Sequence, residues 1–490
     1  MSITCTSINR GSVKADALVF FVMQDEKAFA SATKKIAAEF SELKALLASG
    51  DFNGKRGQTA LTYTNGAGVQ RLILVGLGDA ATLTNEGFRR AAAAATKRAA
   101  SSKCNSVAYE VPVVSKHEAF QVAKAITEGA SLSQYGFVKY KTSSNDHFVT
   151  KFTLVTTAEL LKTVKKGTAE AEAIITGVME SRNLANAPNN EIYPTTLGSR
   201  AAALGRKYGF KTTVLNKKKI QDLKMGGLLG VNQGSVRPPV FIVMEYNGGQ
   251  RGEKPIVLVG KGVTFDTGGI SLKPSPGMSD MKSDMHGAAT VIGTMVTMAQ
   301  LGVKKNIVAL VPATENMPSG TAVVPGDILT FMNGKTAEID NTDAEGRLIL
   351  ADALCYADRF KPEVVIDLAT LTGAVVIALG NTTTGMMGTD DSTMNKLRSA
   401  ATETSEYVCE LPLYEEYEEL ISSDYADVKN SGGRAAGSIT AALFLKKFVS
   451  YPWVHLDIAG TGIAPKAGHY SPKGATGVGV RLLTNAIQNW

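Results

Sequence analysis

The chain has 490 residues, 44% of them hydrophobic and 20% charged. At roughly 100–200 residues per domain this predicts two to four domains, with cores large enough to need no covalent staples. The four cysteines, Cys5, Cys104, Cys355 and Cys409, are scattered with no CxxC pair, which excludes a disulfide framework and points to a reducing compartment.

The net charge of +7 is unevenly spread. Residues 1–170 hold 22 Lys+Arg against 14 Asp+Glu, the remainder 30 against 31. A basic N-terminal part permits binding of a polyanion such as nucleic acid. With no run of five basic residues and no basic–aromatic interleaving, a solvated surface is the favoured reading. The N-terminus lacks the basic-then-apolar pattern of a signal peptide, and no apolar run reaches the roughly 18 residues of a membrane helix. A cytoplasmic protein without a membrane partner is expected.

In chain order, 17–23 (ALVFFVM) and 69–77 read as strands, 26–48 and 84–102 as helices, and 106–113 and 150–156 as short apolar runs. This alternation predicts an N-terminal α/β domain over 1–165. Residues 161–184 read as one long helix followed by the turn-rich NAPNNEIYP, so 166–190 is taken as a linking helix and turn. Strands are then expected at 211–215, 238–246, 255–261, 306–312, 362–369 and 453–458, with helices at 195–207, 284–301, 344–360 and 434–449. The run VVIDLA is apolar without alternation, as in a parallel strand covered on both faces. The fold class is therefore α/β in two domains, the larger one (191–490) a doubly wound mixed sheet that carries the active site.

Ligands gather beyond the C-terminal ends of strands in such sheets. Three segments there carry chemistry. PIVLVGKGVTFDTGGISLKP runs from a strand into a Gly-rich loop with Lys261, Asp266 and Lys273. DMKSDMHGAA places Asp284 at a helix start. NTDAEGRLILADAL brings Asp343, Glu345 and Arg347. Asp343 and Glu345 are two apart and point the same way if the segment is extended. Carboxylates that close repel unless cations lie between them. Arg347 near a helix start offers an anion seat, and Gly346 is expected to let the chain turn sharply. Four carboxylates roughly balance a pair of divalent cations, for which hard oxygen ligands are suited. Lys261 is able to join them if its amine is neutral, while Lys273 stays protonated to polarise a carbonyl. Each residue alone is more often ordinary: Asp284 a helix cap, the lysines surface charges. The whole set is not so easily dismissed.

NTDAEGRL at 341–348, GKGVTFDTGGISLKP and MKSDMHGAA resemble the metal-binding segments of the leucyl aminopeptidase family, the dizinc cytosolic exopeptidases. The resemblance extends to RNLANAPNN, DLATLTGA and HLDIAG, and covers residues 170–490. It implies a tightly held metal on Lys261, Asp266, Asp284 and Glu345, and a more exchangeable one on Asp266, Asp343 and Glu345. These would be Zn²⁺ or Mn²⁺, with Mg²⁺ or Co²⁺ as substitutes. It implies that water activated by the two metals attacks the scissile carbonyl of a peptide with a free N-terminus. Lys273 would stabilise the oxyanion, and Arg347 would hold a bicarbonate that acts as general base. Met281, Thr370, Gly373 and Ala459 would form a pocket for a Leu-like side chain, the plainer alternative being core packing. A homohexamer is implied as well. His286 is read as structural, His455 and Asp457 as support. The alternatives are a nucleic-acid role for the basic N-terminal domain, another two-metal hydrolase such as a phosphatase, an inactive scaffold, or Cys-Gly dipeptidase activity.

Overall fold

The computed structural model describes residues 1–65, 68–143 and 146–490. They form two compact units, Met1–Ile175 with Lys466–Pro472, and Thr176–Pro465 with Lys473–Trp490.

The first unit is built on a six-stranded sheet. Its order is Ser2–Thr6, Lys151–Val155, Ser106–Glu110, Ala15–Met23, Val69–Gly78 and Thr59–Tyr63. Only the last pair is antiparallel. The run ALVFFVM is unbroken because both of its faces are covered. Leu18, Phe20 and Val22 pack with Ile36, Phe52 and Leu74, while Ala17, Val19 and Phe21 pack with Phe88, Ala92 and Ile126. The helix expected over 26–48 is two helices, Glu26–Glu39 and Leu43–Ala48. Helix Ala119–Leu132 was not foreseen. Lys124, Thr127, Glu128 and Ser131 do recur at helical spacing, so its period was present in the sequence, yet Val122 to Leu132 is buried without interruption.

The second unit holds the nine-stranded sheet. Its order is Tyr407–Glu410, Thr383–Gly388, Trp453–Asp457, Val364–Ala369, Ile256–Gly260, Asn306–Asn316, Val240–Asn247 and Lys211–Leu215. Gly262–Asp266 pairs in parallel with the far end of Asn306–Asn316. The centre is parallel, Thr383–Gly388 and Val240–Asn247 join it antiparallel, and the outermost strands pair parallel (Tyr407–Glu410) and antiparallel (Lys211–Leu215), which is the mixed sheet expected. Val364–Ala369 is buried at every residue. Val365 and Ala369 pack in one apolar cluster with Leu348 and Leu350 of helix Glu345–Ala357 and Leu443 of helix Gly437–Lys446. On the other face helix His286–Leu301 comes so close that a Cβ on Gly287 would lie 2.1 Å from the Leu368 carbonyl oxygen. Among the described residues no helix is long and apolar enough to cross a membrane.

The consequence for function is an edge. The parallel strands Ile256–Gly260, Gly262–Asp266, Asn306–Asn316, Val364–Ala369 and Trp453–Asp457 all end on one side. Lys261, Asp266, Asn316, Thr370 and Ala459 sit at or just past those ends.

Candidate active site

Lys261 is the link between strands Ile256–Gly260 and Gly262–Asp266, where a loop had been expected. Its Nζ lies 2.7 Å from Asp284 Oδ2 and 2.8 Å from Glu345 Oε1, and donates to the Thr370 carbonyl at 2.9 Å. Lys273 extends from the loop after Gly262–Asp266; its Nζ is 2.8 Å from Asp266 Oδ2 and ion-pairs with Asp343. The structure thus brings Lys261, Asp266, Lys273, Asp284, Asp343 and Glu345 into one cluster. Carboxylate oxygens of Asp266, Asp343 and Glu345 lie within 4.8 Å of one another.

Three local readings change. Asp284 does not open its helix: it lies between the 3₁₀ turn Met278–Ser283 and helix His286–Leu301. Asp343 and Glu345 do not share an extended segment, because Glu345 is already the first residue of helix Glu345–Ala357. Gly346 is helical and makes no sharp turn. Its bare Cα is needed because a Cβ there would meet Lys261 Cε at 2.6 Å and Nζ at 2.8 Å.

The electrostatics describe an excess of negative charge out of water. Burial raises the Glu345 carboxyl above the usual range and the Asp266 charge adds to it. Burial does the same to Asp284 and Asp343. Burial alone would lower Lys261, but Asp284, Glu345 and Asp266 push its ammonium above the ordinary value; Lys273 is raised against burial by Asp266, Glu345 and Asp343. Oε1 of the buried Glu345 meets only Lys261, and its Oε2 has no hydrogen-bond partner among the described residues. Four acids against two lysines, with lone pairs left over, is a donor set that fits multivalent cations and is costly without them. Lys261 becomes a ligand only as a neutral amine, a form that a neighbouring divalent cation favours.

Arg347 is buried in the first turn of its helix; its guanidinium donates to the Asn430 carbonyl at 2.7 Å, and its Nε has no hydrogen-bond partner. Burial pulls it down to about 10 against the pull of Glu345 and Asp457. Among the residues expected to form a pocket, Thr370 donates its hydroxyl to Asp284 Oδ1 at 2.7 Å. Gly373 is exposed, and a Cβ there would meet nothing within 4 Å. Ala459 donates its N–H to Asp457 Oδ1, which also takes the N–H of Leu371. Met281 lies half-buried in the 3₁₀ turn that leads to Asp284. His286 is neutral and buried: its Nε2 accepts the Gly477 N–H, and burial pushes it down to about 4, helped by Arg182. His455 ion-pairs through Nδ1 with Asp367 at 2.6 Å, and Trp453 donates to the same carboxylate at 2.7 Å.

Two asparagines went unnoticed in the sequence. Asn430 Oδ1 accepts the N–H groups of Asp340 and Asn341, and its Nδ2 donates to the Asn341 carbonyl. Asn316 reaches Asp266 and Thr342. Neither stands in a recognisable pattern; the one available signal was that a buried amide at a strand end must serve some backbone.

A two-unit α/β fold whose larger sheet ends in a buried carboxylate–lysine cluster defines a hydrolase of the metal-dependent class. Comparison with known proteins makes this specific. The profile of the cytosol aminopeptidase family, catalytic domain, matches residues 179–484, and that of its N-terminal domain matches residues 18–144. A probable cytosol aminopeptidase of Ralstonia pickettii (strain 12J) is 45% identical over 98% of this chain and 96% of its own length. Another from Roseiflexus castenholzii (strain DSM 13941 / HLO8) is 43% identical over 100% and 99%. Among solved structures, a mutant of tomato leucine aminopeptidase superposes with a TM-score of 0.89 at 32% identity, covering 100% of this chain and 97% of that one. The bottromycin maturation enzyme BotP in complex with Mn gives 0.86 at 31%, covering 97% and 99%. The chain belongs to the cytosol aminopeptidase family and is a metal-dependent aminopeptidase that acts on peptides.

Proposed function

We propose that the chain releases the N-terminal residue of peptides, preferring Leu or a similar apolar side chain, with two divalent cations held by Lys261, Asp266, Asp284, Asp343 and Glu345. The carrying observation is Glu345, a buried carboxylate whose Oε1 meets only Lys261 and whose Oε2 has no hydrogen-bond partner among the described residues, although three more carboxylates stand close by. Zn²⁺ or Mn²⁺ suits this donor set, the latter being what the BotP complex holds. Bound divalent cations supply Lewis acidity and lower the pKa of water.

The chain's own groups do the rest. Lys273, anchored between Asp266 and Asp343, is placed to donate to a carbonyl oxygen as negative charge develops on it. Arg347, with its free Nε at a helix N-terminus, suits a bicarbonate that accepts the proton of the attacking water. Met281, Thr370, Gly373 and Ala459 form the wall for the apolar side chain, and the open space at Gly373 admits it. The substrate's free α-amine would be recognised at a bound cation, which makes the enzyme an exopeptidase. It works in the cytoplasm as a homohexamer.

The test is a panel of aminoacyl-p-nitroanilides on chelator-treated protein reloaded with Mn²⁺ or Zn²⁺, run beside an N-acetyl-blocked control. Highest kcat/KM for Leu and no turnover of the blocked substrate is expected. Equal rates on free and blocked substrates contradict the reading. Cys-Gly in the panel reads out the dipeptidase alternative, a phosphate ester the phosphatase one, and a mobility shift with duplex DNA at low salt the nucleic-acid one.

A further inference from the structure

Asn316 is the last residue of strand Asn306–Asn316 and is buried to 2% exposure. It stands in parallel register with Asp266, just where the pairing of the two strands shifts. Its Nδ2 donates to Asp266 Oδ1 at 2.9 Å and to the Thr342 carbonyl at 3.0 Å. Both partners only accept, so the orientation of the amide is forced: the amino group must face them. Its own backbone carbonyl accepts the N–H and the hydroxyl of Thr267 at 3.0 and 2.8 Å. The carbonyl side of the amide is closely enclosed as well. A Cβ on Gly269, which has φ +65°, would lie 2.8 Å from Asn316 Oδ1.

Thr342 in turn has every polar atom engaged. Its hydroxyl donates to the Gly268 carbonyl at 2.6 Å and accepts the Ser271 N–H at 2.8 Å, and its own N–H donates to Ser271 Oγ at 3.2 Å. The loop that carries Asp343 is thereby laced to the loop that carries Lys273, and Asn316 ties that pair to Asp266. On Asp266 the division is just as definite: Oδ1 takes Asn316 and the Gly268 N–H, while Oδ2 faces Lys273.

We propose that Asn316 is a positioning residue that sets the Asp266 carboxylate and the Asp343 loop at a fixed separation for cation binding. It touches no substrate. It acts by claiming Asp266 Oδ1, which leaves Oδ2 to turn toward a cation, and by holding the peptide carbonyl just before Asp343. The chemistry admits few substitutes: Asp would repel both acceptors, Ser is too short to reach them, and Ala offers no donor. The inference rests on the reading of this cluster as a cation site.

The experiment titrates Mn²⁺ into metal-depleted full-length protein by calorimetry, for wild type, Asn316→Ala, Asn316→Ser and Asp343→Ala, with the Tm of each metal-free protein measured alongside. Loss of a group that orients a ligand weakens cation affinity by about 10–100-fold. That loss is expected in Asn316→Ala, and in Asn316→Ser, which carries the test if the alanine variant does not fold. A purely structural role lowers Tm but leaves the Mn²⁺ affinity of the folded variant at the wild-type value; that result overturns the proposal alone. Wild type that takes up no Mn²⁺, or Asp343→Ala that binds like wild type, overturns the cation-site reading and this proposal with it.

Discussion

Two buried carboxylates at the same sheet edge have opposite surroundings. Asp457, at the end of strand Trp453–Asp457, accepts the N–H groups of Leu371, Thr372 and Ala459 and the Thr372 hydroxyl. Glu345, equally buried, takes no backbone N–H or hydroxyl: Oε1 meets only the Lys261 ammonium, and Oε2 has no hydrogen-bond partner among the described residues. A carboxylate that only braces the fold spends its lone pairs on the fold's own donors. One that leaves them unspent destabilises the protein by itself and earns its place through what it binds. The contrast separates scaffold from site more sharply than burial does, since both residues are inside.

The comparison breaks most visibly at Glu345. Glu345→Gln should lower kcat by about 10²–10³-fold or more, yet cost the metal-free protein little stability, because Oε2 has no hydrogen-bond partner to lose and burial already disfavours the charge. Steady-state kinetics and urea unfolding of the two metal-free proteins check this; a large loss of stability would place Glu345 with the scaffold. The next effect is acid sensitivity through His286. Its folded form is held near 4, below the ordinary His value, by burial and Arg182. A depressed His contributes stability above pH about 6.5 that is lost as pH falls toward 4, here about 3 kcal/mol. His286→Gln should flatten that part of the stability–pH curve, and an unchanged slope would contradict it. Asp457→Asn mirrors the first prediction: an amino group is set against N–H donors, so unfolding free energy falls by about 1–3 kcal/mol while Mn²⁺ affinity holds. Equal damage to both quantities would erase the distinction between the two acids. Smallest in stability is Gly346→Ala. A helical alanine gains about 1 kcal/mol over glycine, but its Cβ displaces Lys261; thermal melts should move little while kcat drops. Unchanged kcat would show that Lys261 tolerates a shift.

Much of this was legible in the chain. ALVFFVM read as a strand and VVIDLA as a parallel strand covered on both faces, and in the fold the apolar runs are continuous because both of their faces are packed. The acidic cluster was legible because its members lie in three dense segments beyond strand ends. Helix Ala119–Leu132 was missed although Lys124, Thr127, Glu128 and Ser131 recur at helical spacing; what the sequence did not show is that this polar stripe is itself buried, Lys124 and Glu128 being paired with Glu170 and Arg89. Gly346 was noticed for the wrong reason: its glycine serves a side chain arriving from 85 positions earlier in the chain, a contact no local pattern encodes. Asn316 and Asn430 were missed for the same cause, their partners being set by strand register and loop return.

The most direct test of the central claim is an anomalous-scattering map of crystals grown after reloading with Mn²⁺. The account predicts two peaks per chain among Lys261, Asp266, Asp284, Asp343 and Glu345, both lost in Glu345→Gln. Peaks located elsewhere, or an undisturbed pair in that variant, would contradict it.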